Sequence, residues 1–443
     1  MFDRFGLIRH PEEAVTKLGN LMRPVSIALC SLIAAGLTVM LAGAAGAADT
    51  TPLTLKEAVQ RALDFAPSVE AADAQSDLGA AMLKAARAPL YPSLSAQSEY
   101  GQFPGYSLTI ANGGLSDAML MLSYTAFDFG RRSATARAAL YQREADQYGV
   151  GAARAQIIFD ATVAYYTLLS NQETVRELAS NAQRIGHYVK VIKALERSGR
   201  AIANDVLKIR TAYDTALLAL SNAQHSTRRA SATLGALMGE IGSSDISVAP
   251  VSGIPAWPGY SLVHNPILEA AERKVASTKA AVLAAQRERY PTVTLTLTAG
   301  WQGINPPHTF THNAGASYDG LVSMPIFEGG LISAHIDEAR AHLLAAKAQV
   351  RQFKFDLGGR LADANLRYKA ARDQLALLKR TLPVAKADFA LAWARFLGGG
   401  HVTLLEVLSA YQQAEQLRLQ RFAQQLAARQ AASEAVLLSG ASQ

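Results

Sequence analysis

From Arg131 to Arg197 the chain reads RRSATARAALYQREADQYGVGAARAQIIFDATVAYYTLLSNQETVRELASNAQRIGHYVKVIKALER. The stretch is rich in alanine and poor in breakers, and no proline falls between Gly151 and Ala249, so one helix can run its whole length. At 1.5 Å per residue it would extend about 100 Å, and Ala201 to Gly239 would return about 58 Å. Asn265 to Tyr290 adds about 39 Å, so two shorter helices stacked end to end match the long one beside them. The pattern recurs: Leu331 to Leu397 gives about 100 Å, against about 88 Å for Thr403 to Leu438 stacked with Ala66 to Ala88. Spacings of three and four support paired helices: Val206, Ile209, Tyr213, Leu217 and Leu220; Leu404, Leu408 and Tyr411; Leu419, Phe422 and Leu426. Pro383 falls inside the second long helix and is expected to bend it.

These matching lengths belong to a repeat. Ala66-Pro67 returns as Asn265-Pro266, Tyr91-Pro92 as Tyr290-Pro291 and Gly101 as Gly300, each 199 residues on. Phe127, Gly130 and Gly199 return 200 residues on as Phe327, Gly330 and Gly399, and Asp205-Val206-Leu207 returns as Glu406-Val407-Leu408. A nearly constant offset implies a duplicated unit, 49–249 and 250–443, each reading helix, strand, strand, very long helix, turn, long helix. The two tips, Ser198 to Ala203 and Leu397 to Val402, reverse on Gly199, Gly399 and Gly400 and carry Arg200 and His401. By the length arithmetic they lie farthest from the strands.

Thr292-Val293-Thr294-Leu295-Thr296-Leu297-Thr298-Ala299 alternates without a fault, as does Ser93 to Tyr100, and period two means a strand with one greasy and one hydroxylated face. Return strands are expected near Ser116 to Ala126 and Ala316 to Ile326, with Pro325 at the end of the second. Aromatics gather at two levels: Tyr91, Phe127, Phe129, Tyr290 and Phe327 at one, Tyr100, Phe103, Tyr106, Trp301 and Phe310 at the other, as in the girdles of a membrane barrel. A half-buried soluble sheet shows the same period, so the strands alone leave both readings open, and the long paired helices favour the membrane one. Leu94, Val293, Leu295 and Leu297 are then expected to meet lipid, while Thr292, Thr294 and Thr296 line a lumen. Four strands cannot close a barrel, whose smallest natural form has eight, and open edges in lipid leave backbone groups unsatisfied. Several chains must share one barrel; eight strands would be filled by their own side chains, so a conducting assembly favours three copies.

Arg23, an uncharged run from Val25 to Ala42 and the small residues Ala45 to Ala48 have the layout of a secretory signal cleaved near Ala48 or Asp49; a single membrane anchor is the competing reading. Residues 1–48 are therefore read as an N-terminal extension and signal peptide, with Met22 a second candidate start. Cys30, the single cysteine, lies in that run behind Leu29, which makes it a poor lipid-attachment site and leaves the mature chain without disulfides or cysteine metal sites. The net charge of +7 is dispersed along helices rather than concentrated with aromatics, which argues against nucleic acid. No GxxxxGK[ST], HExxH or GxSxG occurs, so the chain reads as no enzyme and no cofactor is implied. His308 and His312 lie beside Pro306-Pro307 in a strand-to-strand loop and read as solvated rather than metal-binding.

Leu53-Thr54-Leu55-Lys56-Glu57-Ala58, Tyr91-Pro92-Ser93-Leu94, Phe127-Asp128-Phe129-Gly130-Arg131-Arg132 with Phe327-Glu328-Gly329-Gly330, and Gly399-Gly400-His401-Val402-Thr403-Leu404-Leu405-Glu406-Val407-Leu408 together resemble the TolC outer-membrane factor family over essentially the whole mature chain. The resemblance implies a mainly α fold with a β membrane part: a homotrimer with a twelve-stranded outer-membrane β-barrel and a twelve-helix periplasmic α-barrel. It also implies docking to a periplasmic adaptor and an inner-membrane pump of a tripartite efflux or type I export system. In that family acidic rings inside the second hairpin constrict the mouth, and polar links between hairpins hold it shut. The ring positions fall on Glu406 and on Ser409, where the acid is missing; Asp205 matches a linking aspartate. Its expected partners fall on Leu397 and Val402, with Arg395 or Arg200 as substitutes. Glu406 and Asp205 also fit a plainer role, as first-turn acids favoured by the helix dipole. A periplasmic coiled-coil adaptor or scaffold is the alternative function, and the cargo has no signature.

Overall fold

The computed structural model describes residues 52–102, 114–242, 245–259, 265–304 and 314–440. The signal-peptide and Cys30 readings, and Phe103, Tyr106, His308, Phe310 and His312, lie outside the described residues. The elements below all fall in the compact unit that begins at Leu53.

Helix α1 (Leu55–Phe65) opens on a capping box in which Thr54 and Glu57 each accept the other's backbone N–H. Helix α2 (Pro67–Arg87) has proline in its first turn, where the missing N–H costs nothing. Strands β1 (Ser93–Gln102) and β2 (Gly114–Phe127) lead into α3 (Arg131–Arg197), and α4 (Ala203–Leu237) returns from it. Helix α5 (Pro266–Gln286) is capped by Asn265, whose carboxamide oxygen accepts from Ile267 and Leu268 at 3.0 and 3.2 Å. Strands β3 (Thr292–Ile304) and β4 (Ala314–Ser323), then α6 (Leu331–Leu397) and α7 (Leu404–Ser439), complete the order.

Elements after Pro67 and after Pro266 thus follow one order, and their lengths agree: 67 residues each for α3 and α6, 21 each for α2 and α5, 35 and 36 for α4 and α7. Both tips end in the same motif. Gly199 (φ 73°) and Gly399 (φ 78°) adopt the left-handed conformation, while Arg200 N–H reaches Leu195 O at 2.8 Å and Gly400 N–H reaches Arg395 O at 2.9 Å. Helix α6 runs through Pro383 without a break. Strand β4 stops at Ser323, before the Pro325 that could not donate to a ladder.

The strands form an antiparallel meander in the order β1-β2-β3-β4, with β1 and β4 as free edges. Helix α3 carries α4 along its tip half and α5 along its strand half, and α6 carries α7 and α5 in the same way. The expected stacking of α2 with α7 along α6 is not found within the chain, because α2 packs along α3 instead. Gly79 of α2 comes so near α3 that an added Cβ would lie 3.3 Å from Arg143 Cα and 2.5 Å from the Asp146 carboxylate. Midway along α3, Leu53 and Val248 form a parallel bridge over a core of Tyr165, Leu168, Leu169 and Leu234. Arg429 of α7 straps the 245–259 segment down through Val251 O at 2.8 Å and Gly253 O at 3.3 Å.

Candidate functional site

The register sorts the sheet into two chemically different faces. Leu94, Leu122, Leu297 and Tyr318 stand in one row across the four strands, and Tyr124 and Leu295 stand in the next row of that face. The intervening rows hold Ser93, Ser123, Thr296 and Asp319, then Ser95, Met121, Thr298 and Ser317. Leu94, Val293, Leu295 and Leu297 therefore share one face, and Thr294 and Thr296 share the other. The apolar face is bare: Leu94 is 69% exposed, Leu295 49% and Tyr318 90%. A soluble sheet would cover such a face. The strands contain no lysine or arginine, and Glu99, Asp117 and Asp319 all stand on the hydroxyl face.

At the foot of the sheet Phe127 and Phe129 meet edge to face at 4.7 Å, and Phe129 stacks on Tyr290 at 5.0 Å. Tyr91 and Phe327 are exposed at the corresponding strand ends. Below them Asp128 accepts from Gly130 N–H, Arg132 N–H and Arg132 Nε, while the Arg132 guanidinium also reaches Pro89 O at 2.6 Å and Thr125 O at 2.5 Å. Arg287 donates to Gly130 O at 2.7 Å. This lock fixes strand to helix in the first half; Ile332 stands where a second Arg132 would be.

At the tips, Glu406 closes a capping box with Thr403, each backbone N–H bonded at 3.3 Å, and Ser409 Oγ donates to Leu405 O at 2.9 Å; both side chains are exposed. Asp205 accepts from Ile202 N–H at 3.4 Å, which is half a capping box, since Ile202 has no side-chain acceptor. Within the chain, both acids thus serve their own helix N-termini. The contact that crosses between tips is made by Arg200, whose guanidinium donates to Leu397 O at 2.5 Å, at the C-terminal end of α6 where the helix dipole favours a cation. Gly199, Gly399, Gly400 and the exposed His401 shape the same end.

Above the tips lies a cluster the sequence did not reveal. Glu177 and Arg184 of α3 meet Glu415 and Arg418 of α7: Arg184 reaches Glu177 at 2.9 Å and Glu415 at 3.0 Å, and Arg418 reaches Glu177 at 3.1 Å and Glu415 at 2.6 Å. Tyr411 accepts from Arg184 Nε at 3.3 Å and donates to Asn181. Burial pushes the Glu415 carboxyl up despite the two arginines, and it pushes the Tyr411 phenol up to about 12. Burial acts the same way on Glu177, yet hydrogen bonds and charge from Arg184 and Arg418 outweigh it and hold that carboxyl below its usual range. On the tip side Tyr188 of α3 sits among Phe389, Trp393 and Tyr411, with ring centroids 5.8, 4.6 and 5.9 Å away.

Among the described residues no three His, Cys, Asp or Glu are placed to hold a metal ion, and no helix is long and apolar enough to cross a membrane. A bare apolar sheet face backed by hydroxyls, standing on paired helices of about 100 Å, defines a channel-forming outer-membrane protein. The comparisons agree: the family model described as outer membrane efflux protein matches residues 58–240 and 257–440, and the chain belongs to that family. Protein CyaE of Bordetella pertussis is 27% identical over 335 residues, 72% of this chain and 70% of that protein. The probable efflux pump outer membrane protein SepC of Pseudomonas putida is 25% identical over 228 residues, 50% of this chain and 48% of its own length. The outer membrane protein VceC of Vibrio cholerae superposes with a TM-score of 0.78 at 21% identity, covering 87% of this chain and 96% of that one, which shows a shared fold. The protein is accordingly an outer-membrane transport component with a periplasmic part and a TolC-like fold, in a family of channels rather than enzymes.

Proposed function

We propose that three copies of this chain, each an internal duplication of 49–249 and 250–443, assemble head to tail into a passive conduit that receives cargo from an inner-membrane pump through a periplasmic adaptor. The observation that carries this reading is the far side of α6. Leu357, Leu361, Tyr368 and Ala371 face α5 and α7 in the buried core. On the opposite side Leu344, Phe355, Leu366, Leu377, Val384 and Leu391 recur at steps of 11 and 7, and all are at least 57% exposed. Both steps are close to whole helical turns, so the six residues form one stripe. The other flank of the chain, α2 and α4, exposes Leu78, Met82, Leu207 and Leu218. Two different apolar flanks and two free strand edges suit a closed head-to-tail ring. Helix α5 touches both α3 and α6, whereas its counterpart α2 touches α3, so the place beside α6 falls to α2 of the next copy. Three copies supply twelve strands, wide enough for an aqueous lumen. A detergent-extracted, heat-modifiable trimer from the outer-membrane fraction is the expected result; a soluble periplasmic monomer would refute it.

In this assembly Leu94, Val293, Leu295 and Leu297 meet lipid, and the tips carrying Gly199, Arg200, Gly399, Gly400 and His401 dock the adaptor. Single cysteines replacing Arg200 or His401 should crosslink to the adaptor in cells, and crosslinking confined to the opposite, loop end of the strands would reverse the orientation. Glu406 and Ser409 face the mouth beside Asp205, and three Glu406 carboxylates there would bind divalent cations. Glu406→Ala should relieve divalent-cation block and lower cation selectivity in planar bilayers; an unchanged block would place Glu406 elsewhere.

A further inference from the structure

The two hairpins of the chain, α3–α4 and α6–α7, meet in the tip half chiefly along one seam, α3 against α7. Much of that seam is apolar, with Ala182, Ile185, Ile192 and Leu404 in one cluster. Apolar surfaces of this kind are non-directional and tolerate sliding or tilting. Directional bonds do not, and they are concentrated at one level: Arg184 to Glu415 at 3.0 Å and Arg418 to Glu177 at 3.1 Å cross the seam in opposite senses, while Arg184 to Glu177 and Arg418 to Glu415 brace each side. Two acids and two bases balance, and the side chains are between 10% and 31% exposed, so none can part without leaving a largely desolvated charge behind. Tyr411, between Arg184 and Asn181, adds a second crossing one helical turn nearer the tips.

We propose that the Glu177–Arg184–Glu415–Arg418 square is the positioning device that sets the α6–α7 hairpin against the α3–α4 hairpin, and through it the resting aperture of the periplasmic mouth. The inference rests on the channel reading above. Arg184 lies about 22 Å along α3 from the reversal at Gly199, so a tilt of about 10° at the square displaces the tip by about 4 Å. Tipward of the square the exposed Arg200 guanidinium donates to Leu397 O, a weaker bond to a neutral acceptor. The square is the fixed end of the lever and the Arg200 contact its releasable end.

The test uses full-length trimers in planar bilayers. Glu415→Gln keeps shape and most hydrogen bonding while removing one charge, and Arg184→Ala removes both a cross-seam bond and a brace. Each should raise the open probability of intact trimers by about tenfold, a change of 1.4 kcal/mol. The fourfold reversal Glu177→Arg, Arg184→Glu, Glu415→Arg and Arg418→Glu restores every ion pair and should return the trace to that of the wild type, which a role in folding alone would not require. Intact Glu415→Gln trimers that conduct like the wild type would overturn the proposal, whatever Arg184→Ala does to trimer yield. If wild-type trimers themselves fail to conduct, it is the channel reading that falls.

Discussion

Leu295→Arg is expected to abolish assembly in the outer membrane, whereas Thr294→Arg, one residue away, is expected to leave it intact. Leu295 stands beside Tyr124 on the bare apolar face, 49% exposed, and Thr294 stands on the opposite face. A guanidinium at the midplane of a barrel's lipid face costs roughly 2–4 kcal/mol, and a ring of identical chains incurs that cost at every copy. On the lumen side the same group stays hydrated, so conduction changes rather than assembly. The readout is the fraction of chain migrating as heat-modifiable oligomer after detergent extraction. Equal loss from both substitutions would mean that the sheet is buried on both faces and spans nothing.

The second large effect is expected at the flank of α6. Leu377→Asp combined with Leu391→Asp should leave folded but unassembled chains, because these side chains are 57% and 60% exposed and face away from α5 and α7. Burying each leucine in a ring contact is worth about 1.5–3 kcal/mol, and the aspartates would add unpaired charges to that contact. Dissociation should strengthen by at least about 100-fold, measured as the oligomer fraction in size-exclusion chromatography with light scattering. Leu377→Met, which conserves volume, serves as the control and should assemble normally. Unchanged assembly of the double aspartate would move the contact to another face of α6.

What could be read from the sequence was whatever has a local signature. The alternation from Thr292 to Ala299 gave β3 and its faces, and the glycines at 199 and 399 gave both reversals within a residue. Pro325 and Pro383 look alike in sequence, yet one follows the end of β4 and the other lies within an unbroken helix. Length arithmetic matches helices by extent but carries no information on which neighbour each chooses, so it sets α2 beside α6 when α2 lies on α3. The repeat offsets begin at Ala66 and so miss helix α1, although Thr54-Leu55-Lys56-Glu57 spells its capping box. The charged square had no signal at all, since Arg184 and Glu415 are 231 residues apart and each looks like an ordinary charge on a solvated helix. Arg200 reads as a possible link, but its acceptor is a backbone carbonyl, which no side-chain pattern announces.

The β2–β3 ladder, running from Leu115 opposite Ile304 down to Phe127 opposite Val293, joins the two halves of one chain. A ring built of separate half-length chains would have to form every junction by collision, each at the mercy of dilution in the periplasm. Here the linker between α4 and α5 holds the two halves at a high effective concentration, so this junction closes at a rate independent of how much protein the cell has made. In the proposed ring only the alternate junctions, between β4 and the next copy's β1, would remain concentration-dependent. Assembly is therefore expected to follow a steep power of expression level set by the number of chains, not by the number of hairpins, and partly built rings should be rare at any time.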